Sequence, residues 1–245
     1  MRTGVQLGWV PLAVGRLPPP WSPRFVCHPQ SSVRSAAVPI RAALFDFGGV
    51  VSTSPFESFA RFEAEHGLPA DFIRGLNANN PDTNAWARFE RSELDIAGFR
   101  QAYEAEAVAA GHTIDALAVL ACLGGDIRPA VVEAIKRCRR EMRTGCITNN
   151  VATMHDGPGW HTVVDLDAMF DVVIESSKVG VRKPDPHIYA LACDALGVTA
   201  DEVVFVDDLG VNLKPAAAMG MTTIKVLSAE QALQDLEAVL GFSLA

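Results

Sequence analysis

Four polar side chains in this sequence stand where the strands of a buried parallel sheet would end. Asp46 follows the apolar run AALF, Thr148 follows the shorter run CI, and Asp207-Asp208 follow VVFV. Short apolar runs bounded by polar residues or glycines predict buried strands. The carboxyl ends of parallel strands lie along one edge of a sheet, so these groups can converge although they are far apart in sequence.

Together with Lys183, in a loop before a helix, these side chains have the types that suit attack on a phosphorus centre. Asp46 would be the nucleophile, and Thr148 and Lys183 would hold the phosphoryl oxygens. A Mg²⁺ ion, held by Asp46 and the carboxylates at the end of the other strand, would neutralise the charge that develops. At a sheet edge from which water is excluded, each of these charges interacts more strongly than it would in water.

The elements that must position these residues alternate along most of the chain. We expect strands at 42–45, 146–148, 171–175, 203–206 and 222–226, with helical patterns before or between the last four. Strands that alternate with helices form a parallel sheet covered on both faces. The predicted fold class is therefore α/β, with a doubly wound parallel sheet.

The interval after the first predicted strand has only helical periodicity. Ser54-Pro55 is a typical helix start, and aromatic residues recur at helical spacing as far as Tyr103. We expect residues 55–125 to form a small all-helical domain, inserted into a core that comprises residues 38–54 and 126–245. Aromatic stripes of this kind are more often packing residues than ligand contacts.

The first 37 residues differ from the rest in charge. They contain four of the 21 basic residues, none of the 29 acidic residues, and the triplet Pro18-Pro19-Pro20. Proline density without periodicity predicts disorder. Two interpretations stay open: a transit peptide rich in Arg and Ser, or translated sequence upstream of a true start near Val38. We expect a cytoplasmic protein, or an organellar one if residues 1–37 are a transit peptide.

Composition excludes several classes of partner. The net charge of −8, with few lysines and scattered arginines, argues against a nucleic-acid footprint. No apolar run approaches the length of about 18 residues that indicates a membrane span. Five cysteines without a CxxC pair are typical of a reduced, intracellular protein. We expect a small phosphorylated molecule as the partner, and the sequence leaves the oligomeric state open.

Four motifs in order resemble those of the haloacid dehalogenase-like hydrolase superfamily. They are FDFGGV at 45–50, ITN at 147–149, SSKVGVRKPDP at 176–186 and FVDD at 205–208. The stretch 207–215 (DDLGVNLKP) is similar to the N-terminal phosphatase domain of soluble epoxide hydrolases and to a related domain of acyl-CoA dehydrogenase family members. The resemblance covers about residues 40–230 and implies a Rossmann-like core with a helical cap that closes over the site.

Roles for individual residues follow from this resemblance. It implies Asp46 as the catalytic nucleophile and Thr148 and Lys183 as catalytic phosphate holders, with Asn149 as a further substrate contact. It implies Mg²⁺ as the cofactor. The metal ligands would be Asp46, the Gly48 carbonyl and Asp208, with Asp207 as a supporting or alternative ligand.

One departure from the family pattern concerns Gly48. Phosphatases of the family usually have a second aspartate here, whose carbonyl binds the metal and whose side chain acts as general acid and base. Glycine keeps the first role and loses the second, which is worth on the order of 10²–10⁴ in rate. His155 and His161 are candidate replacement bases. Histidines at such positions are more often ordinary surface or loop residues.

Three functions remain consistent with the sequence. The leading hypothesis is a Mg²⁺-dependent phosphatase that forms an aspartyl-phosphate on Asp46 and acts on a small phosphorylated metabolite. The first alternative is a dehalogenase-like hydrolase that attacks carbon, which needs no metal and leaves the paired Asp207-Asp208 unexplained. The second is a catalytically weak module that binds a phosphorylated ligand or a partner.

Overall fold

The computed structural model describes residues 38–150 and 165–244. Their strands are β1 (Ala42–Phe45), β2 (Arg143–Thr148), β3 (Val172–Glu175), β4 (Val203–Asp207) and β5 (Thr222–Lys225). Their α-helices are α1 (Pro55–Glu65), α2 (Phe72–Ala78), α3 (Ala85–Glu90), α4 (Ile96–Ala109), α5 (Ala116–Ala121), α6 (Pro129–Glu141), α7 (Leu166–Met169), α8 (Ser176–Val179), α9 (Pro186–Leu196), α10 (Gly210–Ala218) and α11 (Ala229–Leu240). The predictions for residues 1–37, His155 and His161 lie outside the described residues.

The strands form one parallel sheet in the order β3-β2-β1-β4-β5. The central strand β1 has β2 on one side and β4 on the other, and Phe45 lies beside both Cys146 and Val206. After β2 and β3 the chain crosses to the other side of β1 to form β4, so the strand order reverses at β1, which is where ligands bind in open α/β folds. The predicted doubly wound α/β fold is confirmed.

The two faces of the sheet carry separate apolar cores. Residues of β1 alternate between them: Ala43 and Phe45 pack with residues of α6 and α11, whereas Ala42 and Leu44 pack with residues of α9 and α10. All four are buried, as expected for a central strand covered on both faces. Burial of this kind stabilises the fold by about 25 cal/mol per Å² of apolar surface removed from water.

The helices α1 to α5 lie between β1 and β2 in the chain and have an apolar core of their own. Trp86 is at its centre, with ring centroids 6.1 Å from Phe59, 6.0 Å from Phe99 and 5.7 Å from Tyr103. We call residues 55–125 the helical segment. The aromatic stripe consists mainly of packing residues, although Phe59 and Trp86 also line a cavity described below. The exact limits of a separate domain stay a prediction.

After β3 the chain passes directly into a short helix, since α8 occupies Ser176–Val179. Lys178 lies on this helix and forms an ion pair with Glu175, and Gly180, at φ 70°, ends the helix.

Other helix boundaries agree with the sequence signals. Asp185 caps α9 by accepting a hydrogen bond from the His187 N–H at 2.9 Å, and the helix ends at Gly197, at φ 66°. Among the helices of residues 38–150 and 165–244, none is long and apolar enough to cross a membrane.

Candidate active site

The sheet brings the predicted strand-end residues to one edge. Asp46 directly follows β1 and donates its backbone N–H to the Val206 carbonyl of β4 at 2.9 Å. Thr148 is the last residue of β2, and Asp207 is the last residue of β4. Because β2 and β4 flank β1, their ends lie on either side of Asp46.

Lys183 reaches this edge from the loop between α8 and α9. Its Nζ lies 2.8 Å from Asp46 Oδ1 and 2.8 Å from Asp207 Oδ2, and the residue is only 1% exposed. An ammonium group has three donors, so these two contacts leave one N–H for a substrate oxygen. A buried lysine requires such partners, because an unpaired buried charge is strongly destabilising.

The backbone of Lys183 is fixed by the side chain of Asn149. The Asn149 Oδ1 accepts a hydrogen bond from the Lys183 N–H at 2.8 Å, and its Nδ2 donates to the Lys183 carbonyl at 2.9 Å. The amide is therefore engaged in positioning the lysine, although Asn149 also lines the cavity above the site. Its expected role as a substrate contact stays a prediction.

Asp207 is also held by neighbours other than Lys183. Its Oδ1 accepts a hydrogen bond from the Leu209 N–H at 2.7 Å, and Asn212 Nδ2 donates to both carboxylate oxygens at 3.1 Å. Both oxygens are thus occupied, and the residue is fully buried. Asp207 positions Lys183 in this arrangement. Asn212, on the first turn of α10, was not predicted from sequence as a site residue. The one feature that could have indicated it is its closeness in sequence to Asp207 and Asp208.

The two oxygens of Asp46 have different surroundings. Oδ1 accepts hydrogen bonds from the Phe47 N–H at 2.6 Å and from Lys183. Within residues 38–150 and 165–244, Oδ2 has no hydrogen-bond partner. Thr148 is buried, lines the same cavity as Asp46, and its hydroxyl makes no hydrogen bond to any described residue. Oδ2 and this hydroxyl are therefore available to a ligand.

Charge in the site is unbalanced, since one ammonium faces three carboxylates. Burial, with smaller contributions from Asp207 and Asp208, raises the pKa of Asp46 to about 8, although Lys183 opposes the shift. Burial and Asp207 raise the pKa of Asp208 to about 6. For Lys183, the two carboxylates outweigh burial and raise the pKa above its ordinary value. The site thus holds excess negative charge that a cation would relieve.

The donor atoms fit a hard divalent cation. Ligand oxygens of Asp46, Asp207 and Asp208 lie within 4.8 Å of one another. Since Asp207 is occupied by Lys183, Asn212 and a backbone N–H, the carboxylates of Asp46 and Asp208 are the ones left for a metal. An all-oxygen set of one or two carboxylates, completed by waters and substrate oxygens, is typical of Mg²⁺ sites.

The two glycines after Asp46 differ in what they require. Gly48 has φ −68° and ψ 131°, which any residue adopts, and a Cβ added there would have no neighbour within 4 Å. Gly49 has φ 78°, and a Cβ there would overlap the Asp208 carboxylate. Glycine is thus structurally required at 49 but not at 48. The nearby Arg128, also missed by the sequence analysis, donates to the Gly49 carbonyl at 2.7 Å.

A cavity of about 930 Å³ lies between the sheet edge and the helical segment. Its floor includes the site residues, among them Asp46, Gly48, Thr148, Lys183 and Asp208. Its opposite wall is mostly apolar and includes Phe56, Phe59, Trp86, Leu120 and Leu123. A ligand that reaches Asp46 with a polar group can therefore place an apolar part against the helical segment.

Comparison with known proteins agrees with this geometry. A sequence profile of the family described as haloacid dehalogenase-like hydrolase matches residues 40–220. The chain belongs to this family. A solved HAD-like hydrolase structure from Porphyromonas gingivalis superposes with a TM-score of 0.63 at 23% identity, covering 82% of this chain and 98% of the other.

Three curated proteins show the range of relatives. The chain is 34% identical to acyl-CoA dehydrogenase family member 10 of Mus musculus over 83% of its length, and 32% identical to bifunctional epoxide hydrolase 2 of Mus musculus over 82%. It spans only 19% and 39% of those two proteins. It is 29% identical to phosphatase MT3486 of Mycobacterium tuberculosis, covering 62% of this chain and 58% of that protein.

The contrast between the two glycines gives a first prediction. We expect Gly49→Ala to lower the free energy of unfolding by about 1–3 kcal/mol, because it adds a positive-φ penalty to overlap with Asp208. Gly48→Ala is the matched control and should stay within about 0.5 kcal/mol of wild type. Urea denaturation of the three proteins measures both values. Equal destabilisation by the two variants would contradict the described conformation of the turn.

Proposed function

We propose that this hydrolase is a Mg²⁺-dependent phosphatase that forms an aspartyl-phosphate on Asp46. The observation that carries the proposal is the arrangement of an unengaged Asp46 Oδ2 beside a buried ammonium group and a free Thr148 hydroxyl. These groups supply a nucleophile and two holders for phosphoryl oxygens within one cavity. The similarity to a mycobacterial protein named as a phosphatase supports the same reaction class.

In the first step, Asp46 Oδ2 attacks the phosphorus of the ester. A bond forms between Oδ2 and phosphorus, and the bond between phosphorus and the ester oxygen breaks. The leaving oxygen departs with the electron pair and takes a proton from water, since no acid side chain is present at position 48. The remaining N–H of Lys183 and the hydroxyl of Thr148 hold the phosphoryl oxygens in line.

In the second step, water attacks the phosphorus of the aspartyl-phosphate. The bond from oxygen to phosphorus forms, Asp46 is released as a carboxylate, and the proton of the attacking water passes to solvent or phosphate. Mg²⁺ bound by Asp46, Asp208 and the Gly48 carbonyl would supply positive charge to the phosphoryl oxygens. Asp207 keeps Lys183 in place through both steps.

The missing side chain at position 48 restricts the substrate. Without a general acid, esters whose leaving group is stable as an anion react best. The cavity adds an apolar wall opposite the nucleophile. We therefore propose a small phosphorylated metabolite as substrate and partner, with an apolar part that contacts the helical segment.

The nucleophile is tested by Asp46→Asn. We expect turnover of aryl phosphates with Mg²⁺ to fall by at least about 10³-fold, because the amide cannot form the covalent intermediate. Asp194→Asn, on the exposed face of α9, is the control and should keep wild-type turnover. Steady-state assays across a panel of phosphate esters measure the change.

Two outcomes of this assay would overturn the proposal. Wild type and Asp46→Asn could be equally inert across the panel while both bind phosphate, which would indicate a binding module. Alternatively, wild type could act on 2-haloacids in the presence of EDTA, which would indicate attack on carbon.

A second prediction concerns the absent acid. We expect Gly48→Asp to raise turnover of alkyl phosphates by up to about 10²-fold and that of aryl phosphates much less, because only the poor leaving group needs a proton. The open space around position 48 accommodates the side chain. Gly48→Asn is the matched control, since it has the same size and transfers no proton. If the two variants behave alike, another group already supplies the proton.

The raised pKa values predict how metal binding depends on pH. A carboxyl group must lose its proton before it binds a metal. Since the pKa of Asp46 is raised to about 8 and that of Asp208 to about 6, Mg²⁺ affinity should rise with pH and level off above about 8. We expect about a fivefold rise between pH 7 and 8, because the ionised fraction of Asp46 increases from about a tenth to about a half over that interval.

Titration calorimetry with the metal-free protein measures this dependence. Buffers of different ionisation enthalpy give the number of protons released. Asp46→Asn should flatten the curve between pH 7 and 8, since the group that titrates there is removed. An affinity that is equal at pH 6 and pH 8 in wild type would show that these carboxylates do not bind the metal.

A further inference from the structure

The described contacts between the helical segment and the α/β core include hydrogen bonds and a buried ion pair. Within residues 38–150 and 165–244, each buried apolar cluster belongs entirely to one part: one cluster to the helical segment and two to the sheet and its helices. Parts of a chain that share no apolar core are expected to move relative to one another. The position of the segment over the site therefore depends on particular hydrogen bonds and ion pairs.

On one side, the two linkers that enter and leave the segment are hydrogen-bonded to each other. Ser52 and Ile127 form an antiparallel bridge. The Thr53 N–H donates to the Asp126 carbonyl at 2.8 Å, and the Asp126 N–H donates to Thr53 Oγ1 at 3.0 Å. This pairing fixes the point at which the segment is attached to the core. The position of its other end over the site must be set by other contacts.

On the far side, Arg182 spans from the core to the segment. Its Nε lies 2.5 Å from Glu90 Oε2 at the end of α3, and its Nη1 donates to the Pro81 carbonyl at 2.9 Å. Both side chains of the ion pair are largely buried. An exposed hydrogen bond from Ser92 Oγ to the Ser177 carbonyl, at 2.8 Å, lies nearby. Of these contacts, the ion pair is the one that involves buried charge.

Both ends of this ion pair continue into the site. Arg182 directly precedes Lys183, whose ammonium contacts Asp46. Glu90 Oε1 accepts a hydrogen bond from Trp86 Nε1 at 2.8 Å, and Trp86 lines the cavity. A single arginine thus connects the loop of the phosphate-holding lysine to the apolar wall opposite it.

We propose that Arg182 is a positioning residue that latches the helical segment over the site through Glu90 and the Pro81 carbonyl. When the latch is formed, the cavity wall and Lys183 are held at a fixed separation. When it opens, both charged groups become hydrated and the cavity becomes accessible. A buried ion pair and its hydrated components are often close in free energy, so the latch is reversible, as a site that must admit substrate requires.

The chain contains a matched control for this arginine. Arg91 has the same kinds of partner, with Nε 2.7 Å from Glu93 Oε1 and Nη2 donating to the Asp82 carbonyl at 2.9 Å. All of these partners belong to the helical segment. Arg91→Gln therefore removes the same kinds of contact, with a more exposed glutamate, without breaking a connection to the core.

Accessibility of Trp86 measures the latch without requiring turnover. In full-length protein with Trp9, Trp21 and Trp160 replaced by Phe, acrylamide quenching of fluorescence reports on Trp86 alone. We expect Arg182→Gln to raise the quenching constant by about threefold or more, because Glu90 is left as a buried charge without its partner. Arg91→Gln should leave it unchanged, and circular dichroism checks that each variant is folded.

A double variant separates a latch from general destabilisation. Glu90→Gln alone should also raise quenching, and Glu90→Gln/Arg182→Gln should raise it by less than the two single effects combined, because both substitutions break the same ion pair. The inference is overturned if Arg182→Gln leaves quenching unchanged, if Arg91→Gln raises it equally, or if the two substitutions are additive.

The proposed latch depends on the proposed function only where its effect on catalysis is concerned. If phosphate esters are turned over, Arg182→Gln should raise KM more than it lowers kcat, because the apolar wall is displaced while Asp46 stays in place. If no ester is turned over, the quenching experiment still decides whether the latch exists. Failure of the phosphatase proposal and failure of the latch therefore give different results.

Discussion

The buried ammonium of Lys183 is the interaction on which the site depends. Its contacts with Asp46 and Asp207 join the ends of β1 and β4 to a loop that is distant in sequence. Because a buried charge without partners costs several kcal/mol, none of these three groups can move alone. The lysine does not balance the charge, however, since Asp208 adds a third carboxylate. Burial raises the pKa values of Asp46 and Asp208, the neighbouring carboxylates raise them further, and a divalent cation would offset the excess negative charge.

Much of this arrangement could be predicted from sequence, because it follows from strand order. Once Asp46, Thr148 and Asp207 are placed at the ends of parallel strands, the sheet brings them together whatever lies between. The same holds for the α/β fold and the helical character of residues 55–125. Family resemblance added proposed roles, such as that of Asp208 as a metal ligand, which stays a prediction.

Some residue roles could not be predicted from sequence, because they depend on tertiary contacts. Asn149 was named from sequence as a substrate contact, but its two hydrogen bonds to the backbone of Lys183 could not be predicted. Asn212 and Arg128 have no pattern that distinguishes them from other polar residues. The partnership of Arg182 with Glu90 joins positions 92 residues apart, which no local periodicity reveals. Similarly, sequence shows Gly48-Gly49 as one turn, whereas only Gly49 has a positive φ and a close approach to Asp208.

The absent side chain at position 48 and the polar attachment of the helical segment bear on the same problem. In the proposed phosphatase, a site without a general acid must lower its barrier through electrostatic stabilisation of the phosphoryl group. Such stabilisation grows as water is excluded, because the effective dielectric constant falls. Closure of the segment over Lys183 and Thr148 would therefore matter more here than in a site with an aspartate at this position. The latch proposed for Arg182, beside Lys183, would provide that closure while still allowing substrate to enter.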